Sequence, residues 1–272
     1  MLFRSHRRRA VAGSLVLLAI ATGGCGVSPV EWAPQRAIVS PSGSSVALSA
    51  DGTVRPDTLD ALAMRVAPPT GAICPRSLRL AVAGRLLYAV WWAPRPDSGA
   101  RLLAARSTDA GGSWSAAAPV DTSDVGAAGC AREPAAIAAD SMTGYVHVTY
   151  ALQASEGPGL FFSHSMDGGV TFHAPVPILY GERLGRTSVA ADGDLVVVGF
   201  EDPNSTIPRI GLALSRTMGH IFEQRILPVS DDQGAARHPR AAIRGRRIAV
   251  AWERATRDGM AATLVVRAGT VR

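Results

Sequence analysis

No lysine occurs anywhere in this 272-residue chain; all 28 of its basic residues are arginine. Alanine and glycine are abundant beside them, a bias that fits codon composition better than selection for a polyanionic partner. Aromatic residues make up only 6% and do not interleave with basic ones, and no helix motif is present, so nothing points to a nucleic-acid binder. The three cysteines have no histidines at ligand spacing beside them, which leaves no zinc site, and no cofactor motif appears. The apolar run from Val11 to Ala21 is too short to cross a bilayer. No segment sustains the 3.6-residue period of an amphipathic helix. What remains are short β-branched and aromatic runs between glycine-rich turns, the pattern of an all-β protein.

The first 24 residues read as a targeting segment. Arg4, Arg7, Arg8 and Arg9 give a positive start, the apolar run follows, and Thr22-Gly23-Gly24-Cys25 ends it. Small residues directly before a cysteine resemble the lipobox of bacterial lipoproteins, with Thr22 standing where an aliphatic residue is more usual. The resemblance implies lipidation of Cys25 on the outer face of a bacterial membrane; an ordinary cleaved signal with secretion is the alternative. Residues 25–36, polar and proline-containing, read as a tether. The whole chain carries a formal charge of +6, but no acidic residue precedes Cys25, so the mature part holds 24 basic against 22 acidic residues. That near balance removes the case for an anionic partner based on net charge alone.

One pattern recurs. Ser107-Thr108-Asp109-Ala110-Gly111-Gly112-Ser113-Trp114 and Ser165-Met166-Asp167-Gly168-Gly169-Val170-Thr171-Phe172 share Ser-x-Asp-x-Gly-x-x-aromatic. Ser215-Arg216-Thr217-Met218-Gly219-His220-Ile221-Phe222 is a copy with threonine for aspartate. The starts lie 58 and then 50 residues apart, about the span of one four-stranded blade. The motif resembles the Asp-box, or bacterial neuraminidase repeat, of sialidase-like β-propellers. That resemblance implies a single β-propeller of four to five four-stranded blades over residues 37–272. It also gives Ser107, Asp109, Gly111 and Trp114, like Ser165, Asp167, Gly169 and Phe172, a structural role as hairpin clasps away from any active site.

Four units agree with this phase. They open at Arg76, Arg132, Arg186 and Arg237, spaced 56, 54 and 51 residues apart, and each continues into two apolar strands. The fourth unit stops at Arg272, where an outer strand should come. The segment from Ala37 to Pro68 could supply that strand, form a degenerate fifth blade, or do both. Cys74 and Cys130 each stand two residues before a unit-opening arginine, so a propeller brings them to neighbouring axial positions. A disulfide is the expectation there, and two buried free thiols the alternative.

The four phased arginines are the candidate anion-binding set, because guanidinium forks gathered in a concave mouth suit carboxylates or phosphates. Structural ion pairs, for instance with Glu133 or Glu182, are the competing expectation. A sialidase-type hydrolase also needs a tyrosine nucleophile, a glutamate beside it and an acid/base aspartate. Tyr180-Gly181-Glu182 offers the residue types too close in sequence to meet across a propeller mouth, so Tyr180 reads as a surface aromatic. Two function classes follow. One is an exported propeller that binds a protein or glycan partner in the cell envelope without chemistry. The other is an exo-sialidase-type glycoside hydrolase acting on terminal acidic sugars.

Overall fold

The computed structural model of the protein describes residues 28–38, 46–48, 54–56, 69, 71–231, 234–255 and 262–272. Near the N-terminus lie β1 (Val30–Trp32) and β2 (Arg36–Ile38), then β3 (Val46–Leu48) and β4 (Val54–Pro56), which pair only with each other. A first four-stranded meander contains β5 (Arg79–Ala83), β6 (Leu86–Pro94), β7 (Ala100–Ser107) and β8 (Ala118–Asp121). The second contains β9 (Ala136–Ala139), β10 (Val146–Ala154), β11 (Gly157–Ser165) and β12 (Val176–Tyr180). The third contains β13 (Thr187–Asp192), β14 (Leu195–Glu201), β15 (Ile210–Ser215) and β16 (Gln224–Pro228). β17 (Ala236–Arg244), β18 (Arg247–Ala255) and β19 (Ala262–Val271) begin the fourth. Every pairing is antiparallel, and no helix occurs among the described residues. The architecture is a β-propeller with four blades.

The N-terminus completes the fourth blade. β1 pairs with the end of β19 through Val30↔Val271, Glu31↔Thr270 and Trp32↔Gly269, and β2 pairs further along it through Val265↔Ala37. Val30–Trp32 is therefore a strand inside the stretch expected to be a tether, and the folded domain begins before residue 37. The physical reason is local: β19 has an open edge, and Val30 fills it with its side chain buried among Val265, Val271 and Trp252. Three residues suffice to do this, and they are too few to change the composition of a polar segment. The outer strand comes from ahead of the expected 37–68 segment, of which, among the described residues, Ala37 and Ile38 take part.

Register explains why the blades stack. Leu87 pairs with Ser107, Val146 with Ser165 and Val196 with Ser215, so these rungs are equivalent. Four residues further on, the same rung holds Trp91, Tyr150 and Phe200, and Trp252 takes that place four residues after Ile248. All four aromatics are fully buried. Tyr150 packs against Trp92 and Leu102 of the first blade, Phe200 against Leu160 and Phe162 of the second, and Trp252 against Leu212 and Leu214 of the third. Each such burial is worth about 1.5–3 kcal/mol, so this rung holds successive sheets face to face. Among the described residues no hydrophobic cluster joins the fourth blade to the first.

The recurring turns clasp the β7–β8, β11–β12 and β15–β16 hairpins. In the first, Ser107 Oγ accepts from the Gly111 amide at 2.8 Å and donates to Asp109 Oδ1 at 2.7 Å, which also accepts from the Ser113 amide at 2.8 Å. The second repeats these contacts, with Ser165 accepting from Gly169 and Asp167 from Thr171, at 2.8 and 2.9 Å. In the third, Thr217 Oγ1 takes the carboxylate's place and accepts from the Ile221 amide at 2.9 Å. Hydrogen bonds from the Ser113 hydroxyl and amide, then from Ser107, hold the Asp109 carboxyl at about 2. Burial pushes Asp167 the other way, but bonds from Thr171, Ser165 and the Val170 amide outweigh it and keep its carboxyl below the ordinary range. Both aspartates are thus ionised acceptors for their own turns.

Candidate functional site: the axial arginine pocket

The innermost strands β5, β9, β13 and β17 lie side by side in that order. At one rung they present Arg79, Ala136, Ser188 and Arg240, opposite Val90, Thr149, Gly199 and Ala251. This rung surrounds a cavity of about 300 Å³, walled also by Leu80, Pro134, Ile137, Val189 and Ala241 and reached by Arg186. Three guanidinium groups therefore share one partly apolar pocket.

One carboxylate offsets them. Glu133 Oε2 accepts from Arg186 Nε at 2.9 Å. Arg79 Nη1 donates to the carbonyls of Arg76 and Leu78, at 2.9 and 2.7 Å, and Arg240 Nη1 to that of Pro239 at 3.0 Å. Among the described residues neither Arg79 nor Arg240 has a carboxylate within ion-pair distance. Burial lowers the pKa of Arg79, and the nearby charges of Arg240 and Arg186 lower it further, against a smaller opposing pull from Glu133. An arginine stays charged through any such shift. The consequence is an excess of positive charge at a solvent-open recess, three guanidinium groups against one carboxylate, a setting that suits an incoming anion and is screened by salt.

The four arginines singled out by phase are distributed differently. Arg186 alone lines the pocket. Arg132 is buried in an ion pair with Asp124 at 2.5 Å and lies 5.8 Å from the Trp92 ring centroid, so it serves the core. Arg237 is more than half exposed and sits 3.8 Å from Glu201. Arg76 is exposed with φ at +64°. Arg76 stands three residues before Arg79, ahead of β5, and Arg237 three before Arg240, as the second residue of β17 and short of the pocket rung. The signal that would have found the right pair is the repeated Arg-x-x-Arg of units one and four, Arg76-Ser77-Leu78-Arg79 and Arg237-His238-Pro239-Arg240.

Cys74 and Cys130 form a disulfide with Cα atoms 5.1 Å apart. It ties the segment entering the first blade to the one entering the second. Tyr180 lies on β12, three strands out from β9, where its ring meets Phe161 edge-on at 5.9 Å. No tyrosine and no aspartate is among the described residues that line the pocket. Cys25 falls outside the described residues.

No protein-family profile and no curated protein matches the chain. Among solved structures it is similar to a Hadza microbial sialidase, with 17% identity and a TM-score of 0.46, over 65% of this chain and 41% of that one. It is similar to a Bombyx mori GH32 beta-fructofuranosidase, with 14% identity and a TM-score of 0.44, over 68% of this chain and 43% of that one. A structure from the GH130 family of mannoside phosphorylases and glycoside hydrolases that target beta-1,2 mannosidic linkages in Candida mannan has 13% identity and a TM-score of 0.44, over 82% of this chain and 74% of that one. The chain thus spans about two fifths of the length of the first two.

Proposed function

We propose that the protein is an exported, lipid-anchored propeller of sialidase-like, Asp-box type that binds a carboxylate-bearing glycan or protein partner in the cell envelope without chemistry. The observation that carries this reading is the axial pocket, where Arg79, Arg186 and Arg240 face a single carboxylate, Glu133. A hydrolase needs a nucleophile and an acid within reach of the bound sugar, and the described lining residues offer neither a tyrosine nor an aspartate. Exo-sialidase action is the second reading, favoured by the three arginines alone. The serine and aspartate contacts in the hairpin turns support the Asp-box assignment and a scaffold role for those residues.

Titration of the soluble domain from Gly26 onward with glucuronate- and sialate-terminated oligosaccharides tests the pocket. Binding should saturate and weaken with salt, and Arg79→Ala and Arg240→Ala should each lose at least tenfold in affinity. That loss corresponds to a charge-assisted hydrogen bond worth about 1.5–3 kcal/mol. Affinity unchanged in both variants would remove the pocket as the site, while turnover of a fluorogenic sialoside would favour the hydrolase.

The anchor is tested separately. With Cys25→Ser the protein should leave the membrane fraction and appear in the soluble or culture fraction, because anchoring depends on acyl chains acting together. Unchanged fractionation would sink the lipobox reading.

A further inference from the structure

Four of the six histidines meet where the second and third blades join. His147 is on β10 and His164 on β11; His173 follows the second turn, and His220 lies within the third. The His164 ring stacks on His173 at 4.6 Å and meets His220 edge-on at 4.6 Å. His147 is 6.3 Å from His164, and Tyr145 stacks on His164 at 5.9 Å. His147 is fully buried and His164 nearly so, yet neither nitrogen of His147 nor Nε2 of His164 has a hydrogen-bond partner.

The repeat does not demand these residues. One residue past the Leu87, Val146 and Val196 rung, the blades carry Tyr88, His147 and Val197 in turn. One residue before the turn serine they carry Arg106, His164 and Leu214. The junction of the first and second blades uses the pH-insensitive pair: Arg106 Nη1 donates to the Gly168 carbonyl at 3.4 Å, and Tyr88 lies against Gly169. At the next junction His147 and Phe162 lie against Gly219 instead. The chain has specialised one of two equivalent seams.

We propose that this second-to-third junction is an acid-opened seam, in which proton uptake by the buried, unpartnered His147 and His164 separates the third turn from the second blade. Stacked imidazoles tolerate each other while neutral and repel once charged. One carboxylate faces the cluster, Asp140, and it is already held by the Met142 and Gly193 amides and the Thr143 hydroxyl. Tyr145 is the other titratable neighbour, and Phe162 and Phe222 complete the surroundings with apolar surface. Burial, then His164, lowers His147 from 6.5 to about 4 against the pull of Asp140; burial, then His220 and His173, lowers His164 to about 4.

The sign follows from that direction. The closed seam binds fewer protons than the open one between pH 6.5 and about 4, so closure is fully favoured above 6.5 and lost as pH falls towards 4. A metal does not explain the cluster: the His164 and His173 rings are only 15° from parallel, so their nitrogens cannot converge on one ion. Among the described residues no group of three His, Cys, Asp or Glu has the geometry to hold one. The Arg186–Glu133 pair spans the same junction, so the seam runs into the wall of the axial pocket.

Hydrogen exchange, expressed as protection against the intrinsic rate at each pH, reads the seam directly. Protection of the Gly219 amide should fall by roughly 50-fold for each of His147 and His164 between pH 7 and 4.5, while that of Gly169 in the second turn holds. His147→Val/His164→Leu, which installs the residues of the third blade at the same rungs, should abolish the fall. Ring-proton titration of the wild-type histidines supplies a readout that needs no variant. Equal acid loss at both turns, an acid response retained in the double variant, or ordinary titration of His147 and His164 near 6.5 would each overturn the proposal.

Discussion

Replacing Cys130 with serine should cost about 4 kcal/mol of folding stability, the loop-closure term for a cross-link over 56 residues. The disulfide encloses the entire first blade. Without it, the hydrophobic cluster that holds that blade, among the described residues, is the one it shares with the second. The native side is well prepared for the bond. Cys74 is fully buried, its amide donates to the Trp92 carbonyl at 2.8 Å, and Ser77 closes the turn with a bond to the Cys74 carbonyl at 2.8 Å. For a domain of this size the melting temperature should fall by on the order of 10 °C. Urea denaturation of the wild type beside Cys74→Ser/Cys130→Ser, which leaves neither partner as a lone thiol, measures the term. A loss below about 1 kcal/mol would mean that the unfolded chain is not being restrained in the way the loop model requires.

The repeat was legible because its signals are local. Turn serines, glycines and terminal aromatics lie within eight residues of each other, and the strand rungs carry Trp91, Tyr150, Phe200 and Trp252 at one fixed offset. The closing strand was not legible, because Val30–Trp32 is recognised by the edge it meets 240 residues away rather than by its own composition. The N-terminal strand of a ring is chosen by tertiary pairing, which overrides weak local preference.

The site was half legible. Phase found the end of each blade that faces the axis, but not which arginine enters the channel. An extra residue between Arg237 and Arg240 shifts the fourth inner strand, and in the second blade the equivalent rung holds Ala136. Arg132 carries the right phase and the opposite fate, since Asp124 and Trp92 draw it into the core. The histidine seam left no trace in the sequence, because its four members occupy positions that the repeat does not make equivalent.

Gly219→Ala should be the most damaging of the small substitutions in the turns, at about 2–5 kcal/mol. Two costs add. Gly219 has φ at +88°, where a side chain meets the following carbonyl, worth roughly 1–2 kcal/mol. Its new Cβ would also lie 2.5 Å from the Phe162 ring, which is fully buried and wedged against Phe222 at 4.9 Å, so it cannot step aside cheaply. Overpacking of that kind costs about 1–3 kcal/mol. Gly169→Ala is the matched control. Its φ is +82°, but its Cβ would stand 3.3 Å from the Tyr88 ring, a contact that a shift of a few tenths of an ångström relieves. The control should therefore lose little beyond the backbone term. Denaturant melts of both variants at pH 7.5, where His147 and His164 are neutral, separate packing from protonation. Equal losses would show that backbone strain alone sets the cost and that the second and third blades are not tightly fitted at Phe162.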